Sequence, residues 1–444
     1  MVDKRNDNSA PIQLPSGSSV DMDTLLLEDG PLEVTRSILP GGVRLITQHV
    51  PGTRAGTVGL WVAAGSRDEA RTQAGASHFL EHLLFKGTLR RTAFEIAEAF
   101  DRVGGESNAA TSKETTHYWA KTLDQDVPMS VEVLTDMLTS SLLTDRDVET
   151  ERTVIIDELA MTEDSPTDVV HEAFSTALFG DVPLGRPIGG TTASVEALPA
   201  ESIRELYREH YYPGNLIVAA AGNLEHARVE DLVLSALEQS SWSLDPQAQT
   251  GSRHRLVMRR EEPPMEVVIG REVEQAHILT GGSWLDVTDD CRPASNVLFT
   301  LLGGGMSSRL FQEVRERRGL AYTTFAFDSA YQDTGYFGLY AGCAPESVPE
   351  VEKIMWGEVE KLAAGQVEET EIERAKGQLR GGLALGLEDS GARMGRLGRS
   401  EIVGRFISVD VALKRIDAVT RDEITSLAAK MMEGAKARAL VTNK

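Results

Sequence analysis

Cysteine is almost missing from this chain: Cys291 and Cys343 are the only two in 444 residues. Two thiols exclude a disulfide framework and a thiolate zinc site, and they suit a reducing compartment. Long apolar runs are missing as well. No uninterrupted stretch of about 18 apolar residues occurs that would cross a bilayer. The opening MVDKRNDNSAPIQLPSGSS has no apolar core of a secretory signal. A cytoplasmic protein without membrane attachment is the expectation. Basic charge is in deficit too, with 45 Lys and Arg against 68 Asp and Glu, a net −23. That argues against nucleic acid or an anionic membrane as partner. It would suit attraction of basic polypeptides, though an acidic surface is more often kept simply for solubility. A phosphate loop is also absent, because Gly303-Gly304-Gly305 lacks the Lys-Ser/Thr ending.

What is present is the composition of a globular protein, 41% hydrophobic and 25% charged. The length exceeds one hydrophobic core, so two domains are expected. Residues 1–31 are polar and rich in Ser, Asp and Pro, and read as a tail or partner-contacting arm. A first domain is expected over 32–240, a polar linker over 241–253 and a second domain over 254–444. Val34–Leu39, the turn Pro40-Gly41-Gly42 and Val43–Val50 read as a hairpin, followed by a strand over Thr57–Ala64. Helical patterns cover Ala76–Phe85, Ala93–Val103, Val127–Ser140 and Asp145–Glu163. Strand patterns cover Glu106–Thr111 and Thr115–Leu123.

Beyond the linker the order repeats, with pieces of sequence. GASHFLEHLLFKG aligns with RPASNVLFTLLGGG, placing His78 on Asn296 at an offset of 218. Val127-Pro128 falls on Val348-Pro349 at 221, and Glu151-Arg152 on Glu373-Arg374 at 222. The slow drift is what small loop insertions produce. Two tandem copies of one α+β unit follow, each a mixed, largely antiparallel sheet packed with helices.

The sharpest signal is His78-Phe79-Leu80-Glu81-His82. On a helix, residues i, i+3 and i+4 share a face. Two imidazoles one turn apart then grip one metal ion, with the Glu81 carboxylate beside it. With nine His in the chain, about 0.02 such matches arise by chance. The bland alternative is two surface histidines on a helix. The apolar flanks Phe79, Leu80, Leu83, Leu84 and Phe85 speak for a core helix whose polar face is turned to something specific. Catalytic zinc takes three protein ligands and keeps a position for water. The stretch DVETERTVIIDELAMTED offers Glu149, Glu151, Asp157 and Glu158 as the third. Glu151 and Glu158 share a helical face, so one can bind metal while the other orients a histidine. Spacing does not rank them.

HFLEH followed 76 residues later by the Glu of DEL resembles the inverzincin peptidases. That group contains pitrilysin, insulin-degrading enzyme and mitochondrial processing peptidase. The resemblance covers residues 33–444 and is closest to the two-domain, processing-peptidase-like branch of bacteria. It implies Glu158 as third zinc ligand, Glu151 as a supporting acid and Glu81 as general base. It implies that Asn108 and Ala109 lie on an edge strand that pairs with extended substrate. Arg315 and Tyr322 match an Arg and Tyr that the family places near the scissile carbonyl, and Gly303, Gly304 and Gly305 a substrate-side loop. Tyr322 as plain core and Arg315 as plain surface charge are the readings the residues give alone.

The function implied is that of a zinc metalloendopeptidase acting on peptides or unfolded, presequence-like segments held as an added strand. The two domains would form half of a clamshell chamber. The second copy has Asn296, Phe299 and Thr300 in place of the motif and Arg380 in place of Glu158, so one zinc per chain is expected. A homodimer would let Arg315 and Tyr322 act on the partner's site. The rival is a non-catalytic or partner-dependent assembly subunit of the same fold, against which the intact motif speaks.

Overall fold

The computed structural model describes residues 10–251 and 265–443. The tail expected over 1–31 therefore lies outside the described residues up to position 9. The same holds for the end of the expected linker and for the second domain as far as residue 264.

The first half runs β1 (Ile12–Gln13), β2 (Leu25–Asp29), β3 (Leu32–Leu39), β4 (Val43–His49) and β5 (Ala55–Val62). It continues with α1 (Ala76–Leu83), α2 (Ala93–Asp101), β6 (Glu106–Thr111), β7 (Thr116–Leu123), α3 (Val127–Ser140) and α4 (Asp145–Asp164). Then come α5 (Pro166–Phe179), α6 (Thr192–Ala197), α7 (Ala200–His210), β8 (Leu216–Gly222) and α8 (His226–Glu238). The second half begins with β9 (Glu266–Gly270), β10 (Ala276–Trp284), α9 (Arg292–Gly303), β11 (Ala321–Ala330) and β12 (Gly335–Cys343). It closes with α10 (Val348–Ala363), α11 (Glu369–Gly386), α12 (Ser390–Val403), β13 (Arg405–Phe406), α13 (Val409–Asp417), α14 (Arg421–Glu433) and β14 (Lys436–Thr442).

These elements build two compact units. Among the described residues, the first takes in everything up to Leu159, then 187–251 and Leu385–Val411. The second takes in Ala160–Arg186, residues 265–384, and those from Ala412 on. The first unit holds a seven-stranded sheet in the order β2-β3-β4-β8-β5-β7-β6, the second a five-stranded sheet in the order β11-β12-β10-β14-β9. Read from β4 onward, the two orders are the same. In each, one parallel pair (β4 with β8, β9 with β14) lies among antiparallel neighbours. The duplication read from the sequence is thus present in the topology: two tandem α+β domains of one fold, with β6 and β11 as equivalent edge strands.

The repeat also exchanges a helix. The helix after α4 is α5, and the helix after α11 is α12, which starts 224 residues later (390 − 166). α5 belongs to the second unit, where Val170, Phe174 and Ala177 pack on Leu279, Tyr340 and Val441 of its sheet. α12 belongs to the first, where Met394 and Leu397 pack on Ile46, Trp61 and Ile217. Gly398 permits the close approach, since a Cβ there would lie 2.4 Å from the Trp61 ring. Two ion pairs tie α12 down, the buried Arg36–Glu401 at 2.5 Å and the partly buried Arg396–Asp29 at 2.7 Å.

Residues 10–31, expected as part of a tail, carry β1 and β2. β2 extends the large sheet beside β3, and β1 pairs with β13. The run Leu25-Leu26-Leu27 is too short to stand out in a polar segment, yet it needs only one partner strand. The other face of the large sheet meets the main core, where Phe79, Leu80 and Leu83 of α1 pack with Val58, Leu60 and Leu134.

Candidate metal centre

α1 forms where the apolar residues Phe79, Leu80 and Leu83 repeat at helical spacing, and all three are buried. The same spacing puts His78, Glu81 and His82 together on the remaining face. α4 supplies the opposing carboxylates: its buried residues Val148, Glu151, Ile155 and Leu159 define one face. Arg152 joins the elements, with its guanidinium 5.5 Å from the Phe79 ring centre and a hydrogen bond to the Val195 carbonyl.

Three ligand atoms meet between the helices. Glu158 Oε2 lies 3.8 Å from His78 Nε2 and 3.4 Å from His82 Nε2, and all three atoms fall within 4.8 Å of one another. Zinc bonds of about 2.0–2.2 Å in a tetrahedron separate ligand atoms by about 3.4 Å. The donor set, two imidazole nitrogens and one carboxylate oxygen, therefore fits zinc in chemistry and spacing. Among the described residues it is the one grouping of three His, Cys, Asp or Glu so placed. Of the other acids on α4, Glu149 pairs with Arg152 at 3.0 Å and Asp157 is exposed outside the grouping.

Glu151 stands behind the cluster. It is 2% exposed, with Oε2 3.3 Å from His82 Nδ1 and Oε1 2.5 Å from Lys86 Nζ. With Nε2 turned to the cluster, His82 carries its proton on Nδ1 and donates it to Glu151. His78 Nδ1 is buried without a partner. Burial lowers the His78 pKa and neighbouring His82 adds to this, while Glu158 and Glu81 pull it up. A neutral imidazole is the form a metal needs.

Glu81 is held from the edge strand. Thr111, the last residue of β6, donates its hydroxyl to Glu81 Oε2 at 2.5 Å. Asn108 and Ala109 lie on the same strand, which pairs with β7 on one side only. Asn108 Oδ1 accepts from the Ala109 N–H at 2.8 Å. The geometry thus brings together His78, Glu81, His82, Glu151 and Glu158, with β6 adjoining through Thr111.

The profile of Insulinase (Peptidase family M16) matches residues 44–192, and that of the Peptidase M16 inactive domain matches residues 197–379. The chain belongs to peptidase family M16. An uncharacterized zinc protease of Streptomyces coelicolor is 49% identical over 407 residues, 90% of this chain and 88% of the relative. One of Bacillus subtilis is 33% identical over 410 residues, 92% of this chain and 98% of the relative. A protease from Helicobacter pylori shares the fold at a TM-score of 0.85 and 22% identity, covering 92% of this chain and 99% of that one. A Peptidase M16 inactive domain from Pseudomonas fluorescens shares it at 0.81 and 15%, covering 95% and 99%.

The other residues singled out by the resemblance lie in the second unit. Arg315 stacks between Phe311 and Tyr322, 4.6 Å from each ring centre, and Tyr322 is 71% exposed. Neither is the plain core or lone surface charge that the residues alone suggested. Gly303 ends α9, and a Cβ there would lie 2.1 Å from the Ala326 nitrogen. Gly303 is therefore a close-packing residue, followed by the helix cap Gly304 and then Gly305. Asn296, Phe299 and Thr300 lie on α9, and Arg380 pairs with Asp417.

Sequence reasoning missed Thr111, Lys86 and Glu69. Lys86 had a signal, being four residues after His82, and Thr111 shares the strand of Asn108. Glu69 had none, because it sits in a loop and its bonds run to the backbone N–H groups of Gly75 and Ser77.

Proposed function

We propose that this M16 protein is a zinc metalloendopeptidase that cleaves peptides or unfolded, presequence-like segments laid along β6. The observation that carries the reading is the His78–His82–Glu158 cluster with Glu81 anchored to the edge strand. His78, His82 and Glu158 would hold one zinc ion, which when bound polarises a peptide carbonyl and lowers the pKa of water. The backbone of an extended substrate pairs with the open edge of β6, so recognition is chiefly of main chain. Thr111 holds Glu81 Oε2, leaving the carboxylate placed to take a proton from the attacking water and pass it to the departing amine. Glu151 keeps His82 in the right tautomer.

Arg315 and Tyr322 form an exposed, pre-stacked pair suited to donate to a developing oxyanion. We assign them to the site of a partner copy in a homodimer, and Gly304 and Gly305 to the substrate side. The paucity of cysteine, with Cys291 and Cys343 both unpaired, supports a cytoplasmic setting. No helix among the described residues is long and apolar enough to cross a membrane.

The test is bound zinc and hydrolysis of a mixed quenched-peptide library, for the wild type and Glu81→Gln side by side. Zinc near one per chain in both, with hydrolysis only in the wild type, is the expected result. A wild type without zinc moves the reading to a docking subunit. Sharing across subunits is tested by mixing Glu81→Gln with Tyr322→Phe chains: failure to recover activity refutes it.

A further inference from the structure

The two histidines of the cluster are held by different means. Glu151 orients the His82 ring, whereas His78 Nδ1 meets no partner among the described residues. No hydrogen bond on the ring sets the direction of His78, so its placement comes from the backbone of α1. That helix is eight residues long, and its cap residue Gly75 has no side chain to take up the free N–H groups of the first turn. Gly75 is left-handed at φ 97°, and a Cβ there would lie 2.7 Å from the Gly189 carbonyl oxygen. A capping side chain therefore has no room at that position.

Glu69 supplies the missing acceptor from the loop after β5. Its Oε2 accepts from the Gly75 N–H at 2.9 Å and its Oε1 from the Ser77 N–H at 2.6 Å. The residue is 6% exposed, so its charge is buried at a cost that these bonds must offset. Burial raises the carboxyl to about 7 even against the N–H groups of Ser77 and Gly75, which pull it down. A negative charge at the start of a helix is also favoured by the peptide dipoles.

We propose that Glu69 is a positioning residue of the metal site, gripping Gly75 and Ser77 so that His78 presents Nε2 to the ion. The inference rests on the reading that His78, His82 and Glu158 bind zinc. Two bonds from one rigid carboxylate fix both where the helix starts and how its first turn is rotated. Ser77 is the residue before His78, so fraying at this end displaces His78 first. His82 lies a turn further on and has Glu151.

The experiment measures zinc dissociation constants of the full chain by chelator competition. It adds the visible spectrum of the Co2+-loaded protein and the melting temperature. Glu69→Gln keeps the shape but sets an amide N–H against a backbone N–H; a 10–100-fold weaker zinc constant and an altered Co2+ spectrum are expected. Glu69→Asp keeps the charge but reaches only one of the two donors, and gives a smaller loss. Glu401→Gln is the control: it breaks the ion pair with Arg36 on the other sheet face, lowering the melting temperature while zinc affinity stays within about twofold.

Glu69→Gln binding zinc like the wild type overturns the inference alone. So does Glu401→Gln weakening zinc as much for the same fall in melting temperature. Should Glu69→Gln not fold, Glu69→Asp decides, and wild-type affinity in it is equally fatal. A wild type that binds no zinc overturns the metal reading and this inference with it.

Discussion

Acid should destabilise the first unit through His117. The imidazole lies on β7 opposite Ala110 of the edge strand and stacks on Trp61, with ring centres 4.1 Å apart. Burial lowers its pKa from 6.5 to about 4; Arg399 adds to the lowering, and a hydrogen bond to the Ala110 backbone opposes it. Between pH 6.5 and 4 the unfolded chain therefore takes up a proton that the folded chain refuses. The stability associated with neutral His117 is present above 6.5 and is lost as pH falls toward 4. At about 1.36 kcal/mol per pKa unit, the complete effect is about 3.4 kcal/mol. About 2.4 kcal/mol of it falls between pH 7 and 4.5. Domains are stable by only about 5–15 kcal/mol, so this is a large share. His117→Phe keeps the stacked ring and removes the titration. Urea unfolding in the presence of a chelator, at pH 7 and pH 4.5, compares the two chains with no contribution from metal release. The wild type should lose about 2.4 kcal/mol more than the variant over that interval. Equal losses in both would show that the buried ring is not what resists the proton.

Glu151→Gln should weaken zinc binding 10–100-fold by chelator competition, because His82 loses its charged acceptor. Glu81→Gln should lower kcat at least 100-fold in peptide hydrolysis while leaving bound zinc unchanged. Gly303→Ala should cost about 3 kcal/mol or more in chemical unfolding, because the new methyl meets the Ala326 backbone, which has no far end to swing aside.

The parts of the site that lie on one helix were legible from spacing, since His78, Glu81 and His82 follow from the helical repeat alone. The partner carboxylate was not. Glu149, Glu151, Asp157 and Glu158 are equivalent until α1 and α4 are placed side by side, and family resemblance was needed to choose among them. Contacts to backbone were invisible as well: Glu69 grips two N–H groups, and no side-chain pattern announces that. The alternation of α and β elements and the drift of the repeat revealed two copies. They did not reveal which sheet each helix covers, because the apolar faces of α5 and α12 say only that something is buried there.

That crossing of helices has a consequence during synthesis. The sheet that carries the edge strand has its Ile46, Trp61 and Ile217 face covered in large part by Met394 and Leu397 of α12, near the end of the chain. A ribosome adding about 5–20 residues per second spends roughly 8–30 s between residue 251 and residue 403. Through that interval the half that carries the His78–His82–Glu158 cluster is a finished sequence without a finished core, and α5 waits for a sheet not yet made. Neither half can complete itself, so the surroundings of the His78–His82–Glu158 cluster stay unconsolidated until nearly the whole chain has emerged. A truncated product ending in the linker would present a bare apolar face to chaperones and proteases in place of a finished core.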